Sequence, residues 1–144
     1  MVRRGLTRAA LQEILRVSQG CACFLQTWGS HTWLAAEASP AGIDAVRKAS
    51  ITATAALDEG IFRVRFDRCT PKEKKNLRAM AELGEGPHRS GDIATGLNEK
   101  VPSLAPTRSS LITKGMVWSP THGNTASTVP MFAAFMKRTV PVME

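Results

Sequence analysis

Through most of the chain apolar residues recur three and four positions apart, the spacing of a helix with one buried face. Leu6, Ala9, Ala10, Ile14 and Val17 predict a helix over Leu6–Val17, closed by Ser18-Gln19-Gly20. A second helix is expected over Cys21–Ala36, with bulk from Phe24, Leu25, Trp28, Trp33 and Leu34 and a stop at Ser39-Pro40. Ile43, Val46, Ile51, Ala55, Leu57 and Ile61 predict one long helix from Ile43 to about Arg65, with Asp44 in its first turn, where a negative charge suits the dipole. Thr70-Pro71 is a strong start signal, a Thr N-cap with Pro in the first position. Leu77, Met80, Ala81 and Leu83 extend that helix to Gly84-Glu85-Gly86-Pro87.

From His88 to Val129 the pattern changes to that of a winged helix-turn-helix. Ser90 is an N-cap candidate ahead of Ile93, Ala94 and Leu97. Lys100 to Pro102 reads as the turn, and a second helix begins at Ser103 with Leu104, Leu111 and Ile112 on one face and Gly115 as its cap. Two short strand-like runs follow, Met116–Ser119 and Thr125–Val129, around a tip at Pro120–Asn124. A last short helix spans Pro130–Arg138, and the tail from Thr139 is expected to be loose. The fold class is thus mainly α: a helical unit over residues 1–66, then a winged-helix domain over 70–144 whose β-structure is confined to a small wing.

Charge sharpens the picture. The chain of 144 residues carries a formal net charge of +7, with an isoelectric point near 9.9, which favours polyanionic or acidic partners. Arg63 to Arg78 holds seven Lys and Arg against Asp67 and Glu73, just before and inside the first helix of the winged unit. That helix is where positive charge meets a phosphate backbone without reading sequence. No apolar run is long enough to span a bilayer, and Met1-Val2-Arg3-Arg4 leads into a charged amphipathic stretch, so a cytoplasmic protein is expected.

Catalytic chemistry is not evident. The chain has no P-loop, no G-x-S-x-G and no H-E-x-x-H. His31, His88 and His122 are scattered; His88 reads as a capping or surface residue. Cys21 and Cys23 could ligate a metal only with His31 or Cys69 closing the site, and three irregular cysteines favour small buried hydrophobes instead. Neither an enzyme, a cofactor nor a metal site is expected.

Several stretches nevertheless resemble a known family. Phe62-Arg63-Val64-Arg65-Phe66-Asp67-Arg68, Thr70-Pro71-Lys72-Glu73-Lys74, Leu77 to Gly84, Gly86 to Ala94 and Ser103-Leu104-Ala105-Pro106 are similar to the C-terminal region of bacterial AAA+ ATPases of the archaeal and origin-recognition type. In that family a nucleotide-binding core precedes a helical lid and a winged helix. Leu11 to Trp28 resembles the lid segment that ends in Gly-aromatic-Pro-aromatic-Phe-Leu-Gln. Here the motif reads Gly20-Cys21-Ala22-Cys23-Phe24-Leu25-Gln26, without the Pro and the aromatics before Phe24. The ATPase core is absent, so the resemblance implies a lid plus winged helix standing alone, a truncated relative or a remnant, and ATP hydrolysis is not carried over.

Two functions follow as expectations. The first is a non-catalytic module on duplex nucleic acid, with Lys72, Lys74, Lys75, Arg89, Lys100, Ser103, Thr107, Ser110, Lys114 and His122 as the contact set. It should make mainly backbone contacts, because the second winged helix is poor in long polar side chains and carries Pro106, while Arg108 falls near its buried face. The second is a protein-interaction or regulatory domain that binds no DNA. The apolar bulk of Phe24, Leu25, Trp28, Trp33 and Leu34 exceeds one narrow stripe, so the N-terminal helices are expected to form a homodimer or to meet a partner protein.

Overall fold

A computed structural model describes residues 5–140. It is mainly helical with one small antiparallel sheet, and it divides into two compact units, Met1–Gly60 and Ile61–Glu144.

In the first unit α1 (Arg8–Ser18) starts at Thr7, whose hydroxyl accepts from the Ala10 N–H at 3.1 Å. After Gly20, α2 (Ala22–Ala35) and α3 (Ile43–Leu57) complete a three-helix packing. Its core holds Ala10, Ile14, Phe24, Trp28, Val46, Ala49, Ala53 and Leu57. The Trp28 indole N–H donates to Ser50 Oγ at 2.9 Å, which gives a buried ring its polar partner. Leu6 and Ala41 form a parallel bridge that ties the entry of α1 to the turn before α3. The expected crowd of apolar bulk on α2 therefore splits. Phe24 and Trp28 are sealed within the unit, while Trp33 is 50% and Leu34 78% exposed.

The single long helix expected from Ile43 to Arg65 ends as an α-helix at Leu57 and continues as a π-helical stretch, Asp58–Phe62, within which the division falls. α4 (Arg63–Asp67) follows. Residues 61–66 group with the second unit, where Phe62 lies 5.8 Å from Phe132 and 5.3 Å from Phe135, ring centre to ring centre.

The second unit runs α5 (Pro71–Glu82), β1 (His88–Arg89), α6 (Ser90–Leu97), α7 (Val101–Thr113), β2 (Val117–Trp118), β3 (Asn124–Ser127) and α8 (Phe132–Thr139), the order of a winged helix. β3 lies at the centre of the sheet: His88 pairs with Thr125 and Arg89 with Asn124, while Val117 pairs with Ser127 and Trp118 with Ala126. The core joins Leu77, Met80 and Ala81 of α5 to Ile93, Leu104, Leu111, Val117, Phe132, Phe135 and Met136.

Several boundaries moved for local reasons. Ser90 does not cap α6; it is the first helical residue, and its N–H and hydroxyl both donate to the Gly123 carbonyl. α7 starts two residues before Ser103, because Lys100 is the N-cap and Pro102 occupies the first turn, where a missing N–H costs nothing. Gly115 does end α7: at φ 72° it lets its own N–H reach Ile112 and the Met116 N–H reach Leu111. Ile112 faces outward, and Thr107 takes the buried position between Leu104 and Leu111. The tail is anchored through Val140, which is buried and accepts from Arg78 Nε at 2.8 Å; the rest of the expected loose tail lies outside the described residues.

Candidate nucleic-acid interface

The corner where the start of α5 meets the end of α7 is built around Glu73. Thr70 and Glu73 form a reciprocal capping box, with the Thr70 hydroxyl accepting from the Glu73 N–H and the Glu73 carboxylate accepting from the Thr70 N–H at 3.0 Å. The other carboxylate oxygen accepts from Ser110 Oγ at 2.6 Å, while Lys114 Nζ lies 2.7 Å from the oxygen that accepts from Thr70 and also donates to the Arg68 carbonyl. Burial pushes the Glu73 carboxyl up. The Lys114 ammonium, the Ser110 hydroxyl and the Thr70 N–H outweigh that and hold it below the usual carboxylate range. Lys72 and Lys75 stand exposed on this corner, as does Arg68, and Lys74 lies over the Phe66 ring at 4.5 Å.

The wing is fastened to α7 by Arg108. Its Nε donates to Thr125 Oγ1 at 3.1 Å, and Nη2 donates to Ser119 Oγ at 2.8 Å and the Asn124 carbonyl at 3.3 Å. Arg108 thus supports the fold, as its place near the buried face suggested. His88 Nε2 donates to the Gly84 carbonyl at 2.8 Å and stitches the α5–β1 loop.

The ten residues expected to touch nucleic acid do not make one patch. Lys72, Lys74, Lys75, Ser110 and Lys114 gather at the α5–α7 corner. Lys100 and Ser103 lie at the other end of α7, about 20 Å away at 1.5 Å per residue. Arg89 and His122 belong to the wing, both exposed, with Arg89 paired opposite Asn124. Three members of the set are taken up within the fold, although Lys114 remains exposed. Thr107 is 7% exposed, in line with Leu104 and Leu111, so it packs in the core. Ser110 and Lys114 are engaged with Glu73. A polar residue type pointed to the surface in all three cases; burial overrode it at Thr107, and the Glu73 carboxylate engages Ser110 and the still exposed Lys114. Arg68 and Glu73 were missed; the T-x-x-E spacing of Thr70 and Glu73 is the signal that marks the corner.

Along α7 the exposed side chains from Val101 to Thr113 carry no charge: Val101, Pro102, Ser103, Ala105, Pro106, Ser109, Ile112 and Thr113. Bidentate base contacts need Arg, Lys, Asn, Gln or an acid, and none is offered there.

Among the described residues no group of three or more His, Cys, Asp or Glu is placed to hold a metal ion. Cys21 precedes α2, Cys23 is exposed, and His31 pairs with Thr52 at 3.0 Å. Cys69 is buried, its thiol pushed up by burial and by the nearby Glu73 charge. No helix among the described residues is long and apolar enough to cross a membrane.

The fold is that of a helical unit followed by a unit with the element order of a winged helix. A domain family of unknown function, DUF8462, matches residues 59–136, and the chain belongs to that family. No curated protein and no solved structure matches the chain.

Proposed function

We propose that the protein is a non-catalytic winged-helix module that holds duplex nucleic acid by its phosphate backbone, in the cytoplasm. The observation that carries this reading is how charge is divided. Residues 61–144 contain thirteen Lys and Arg against seven Asp and Glu, a surplus of +6, whereas residues 1–60 contain six against five. The surplus thus lies on the unit with the winged-helix order, and Arg68, Lys72, Lys75, Arg89 and Lys100 display it on the surface. The uncharged outer face of α7 makes the reading one of backbone contact, blind to base sequence.

A duplex of random sequence, titrated against the full chain at rising salt, tests it. Binding should weaken linearly in log-log form, and Lys72→Glu with Lys75→Glu should lower affinity and flatten the salt slope by about two. Both side chains are exposed, so stability should change by no more than about 0.5 kcal/mol each. No binding even at low salt rejects the proposal.

That same uncharged face of α7, with Val101 and Ile112 bared, favours the second reading, a protein-interaction domain descended from an ATPase lid and winged helix. In that case charge reversal at Lys72 and Lys75 leaves partner binding intact, and Ile112→Glu abolishes it.

A further inference from the structure

The register of the wing sheet decides which side chains look outward. Side chains alternate along a strand, and residues paired across strands share a face. His88, Thr125, Val117 and Ser127 therefore lie on one side, and Arg89, Asn124, Ala126 and Trp118 on the other. The first side is the inner one. Val117 and Thr125 are buried, and His88 and Ser127 line a small cavity with Leu77 and Met80 of α5. Trp118 is held on the outer side by both its neighbours: Val117 is buried, and Ser119 Oγ accepts from Arg108 Nη2 at 2.8 Å. The indole between them stands 51% exposed. The other long side chain on this face is Arg89, also exposed. Two strand spacings and two residues of rise put about 12 Å between their Cα atoms.

Charge narrows the occupant. From residue 100 to residue 143 the chain holds five Lys and Arg and no Asp or Glu, so α7, β2 and β3 lie in a stretch without acids. An apolar ring and a guanidinium in such surroundings suit a π-face carried on a polyanion. The backbone contacts proposed for α5 leave base faces untouched. Inside a duplex those faces stack on one another, and an unpaired base bares one.

We propose that the outer face of the wing is a stacking platform for an unpaired base, with Trp118 taking the base and Arg89 a phosphate of the same strand. The module then prefers a duplex that carries a single-stranded flank. Arg108, bonded to Ser119, Thr125 and the Asn124 carbonyl, fixes the hairpin beforehand, so little order is lost on binding. The inference rests on the nucleic-acid reading above and adds to it the kind of nucleic acid.

Two labelled DNA probes titrated against the full chain separate the two readings: a closed hairpin of about 20 base pairs, and the same hairpin with a thymidine flank of about six nucleotides. The flanked probe should bind about tenfold more tightly at equal salt, and Trp118→Ala should erase that difference while leaving the affinity for the closed hairpin unchanged. Trp118→Phe should keep most of the difference and Trp118→Leu should lose it, with circular dichroism native in each. Arg89→Gln should weaken the flanked probe and lower its salt slope by about one. The flank should quench the tryptophan emission of the native chain and leave that of Trp118→Phe unchanged. Equal binding of the two probes overturns the proposal and leaves the backbone reading standing. A flank preference that Trp118→Leu retains, or a loss in Trp118→Ala shared equally by both probes, has the same meaning. Failure of both probes at low salt overturns both readings. Self-association that sedimentation shows to be lost in Trp118→Ala, with DNA affinity untouched, gives the face to a second copy and also overturns the proposal.

Discussion

Phe135→Ala should cost about 3–5 kcal/mol, a large share of the stability of a unit this size. Phe135 is fully buried on α8 and lies at the centre of an aromatic cluster. Its ring centre is 5.3 Å from Phe62, 5.4 Å from Phe132 and 6.1 Å from Phe66, the last pair edge to face. Removing the ring creates a cavity and deletes three aromatic contacts at once. α8 also packs along α5, so the loss reaches the helix that displays Lys72 and Lys75. Phe135→Leu keeps most of the volume and should cost less than the alanine change by at least about 1 kcal/mol. Urea unfolding of the two variants decides the matter. If Phe135→Ala unfolds at the wild-type midpoint, the aromatic cluster does not hold this unit together.

The parts of this fold that could be read along the chain are those whose causes are local. Thr70-Pro71 announced α5, and Gly115 announced the end of α7, because a cap and a left-handed stop act within one turn. The helix-turn-helix-wing order followed from such signals in series. What escaped depends on partners far away in sequence. β1 is two residues long, and its strand character comes from Asn124 and Thr125, more than thirty positions on. Thr107 looks like a surface residue until Leu104 and Leu111 show that its side of α7 is the core. On α2, composition alone could not separate Phe24 and Trp28, which bury, from Trp33 and Leu34, which do not; the division is set by where α1 and α3 lie.

The same distinction governs the candidate site. Seven of the ten contact residues are exposed, Lys114 among them, because nothing opposes a solvated cation or hydroxyl there. Ser110 and Lys114 nevertheless meet an acid that the fold brings to them across about forty positions of chain. Glu73 therefore turns what reads as one basic stripe into a corner with its own internal counter-charge. The cations left to meet a phosphate are its exposed neighbours.

Glu73→Ala should accordingly destabilise the second unit by about 2–4 kcal/mol. The change removes half of a capping box, strands the Ser110 hydroxyl and leaves the partly buried Lys114 ammonium without its partner. Because the folded state holds the Glu73 carboxyl below its ordinary value, its contribution is fully present above the unfolded value of about 4.3 and is lost as pH falls through the lower folded value. Wild-type stability should therefore decline below about pH 4, and Glu73→Gln should flatten that part of the acid limb, since an amide keeps some of the hydrogen bonds but cannot titrate. Glu73→Gln also removes the one negative charge amid Lys72, Lys74, Lys75 and Lys114, so its affinity for duplex DNA at neutral pH should rise several-fold while the unit stays folded. Thermal melts from pH 3 to 7, paired with one DNA titration at pH 7, measure both effects. An unchanged acid limb would show that Glu73 is not the group whose ionisation holds the corner, and an unchanged DNA affinity would place the phosphate contacts elsewhere on the unit.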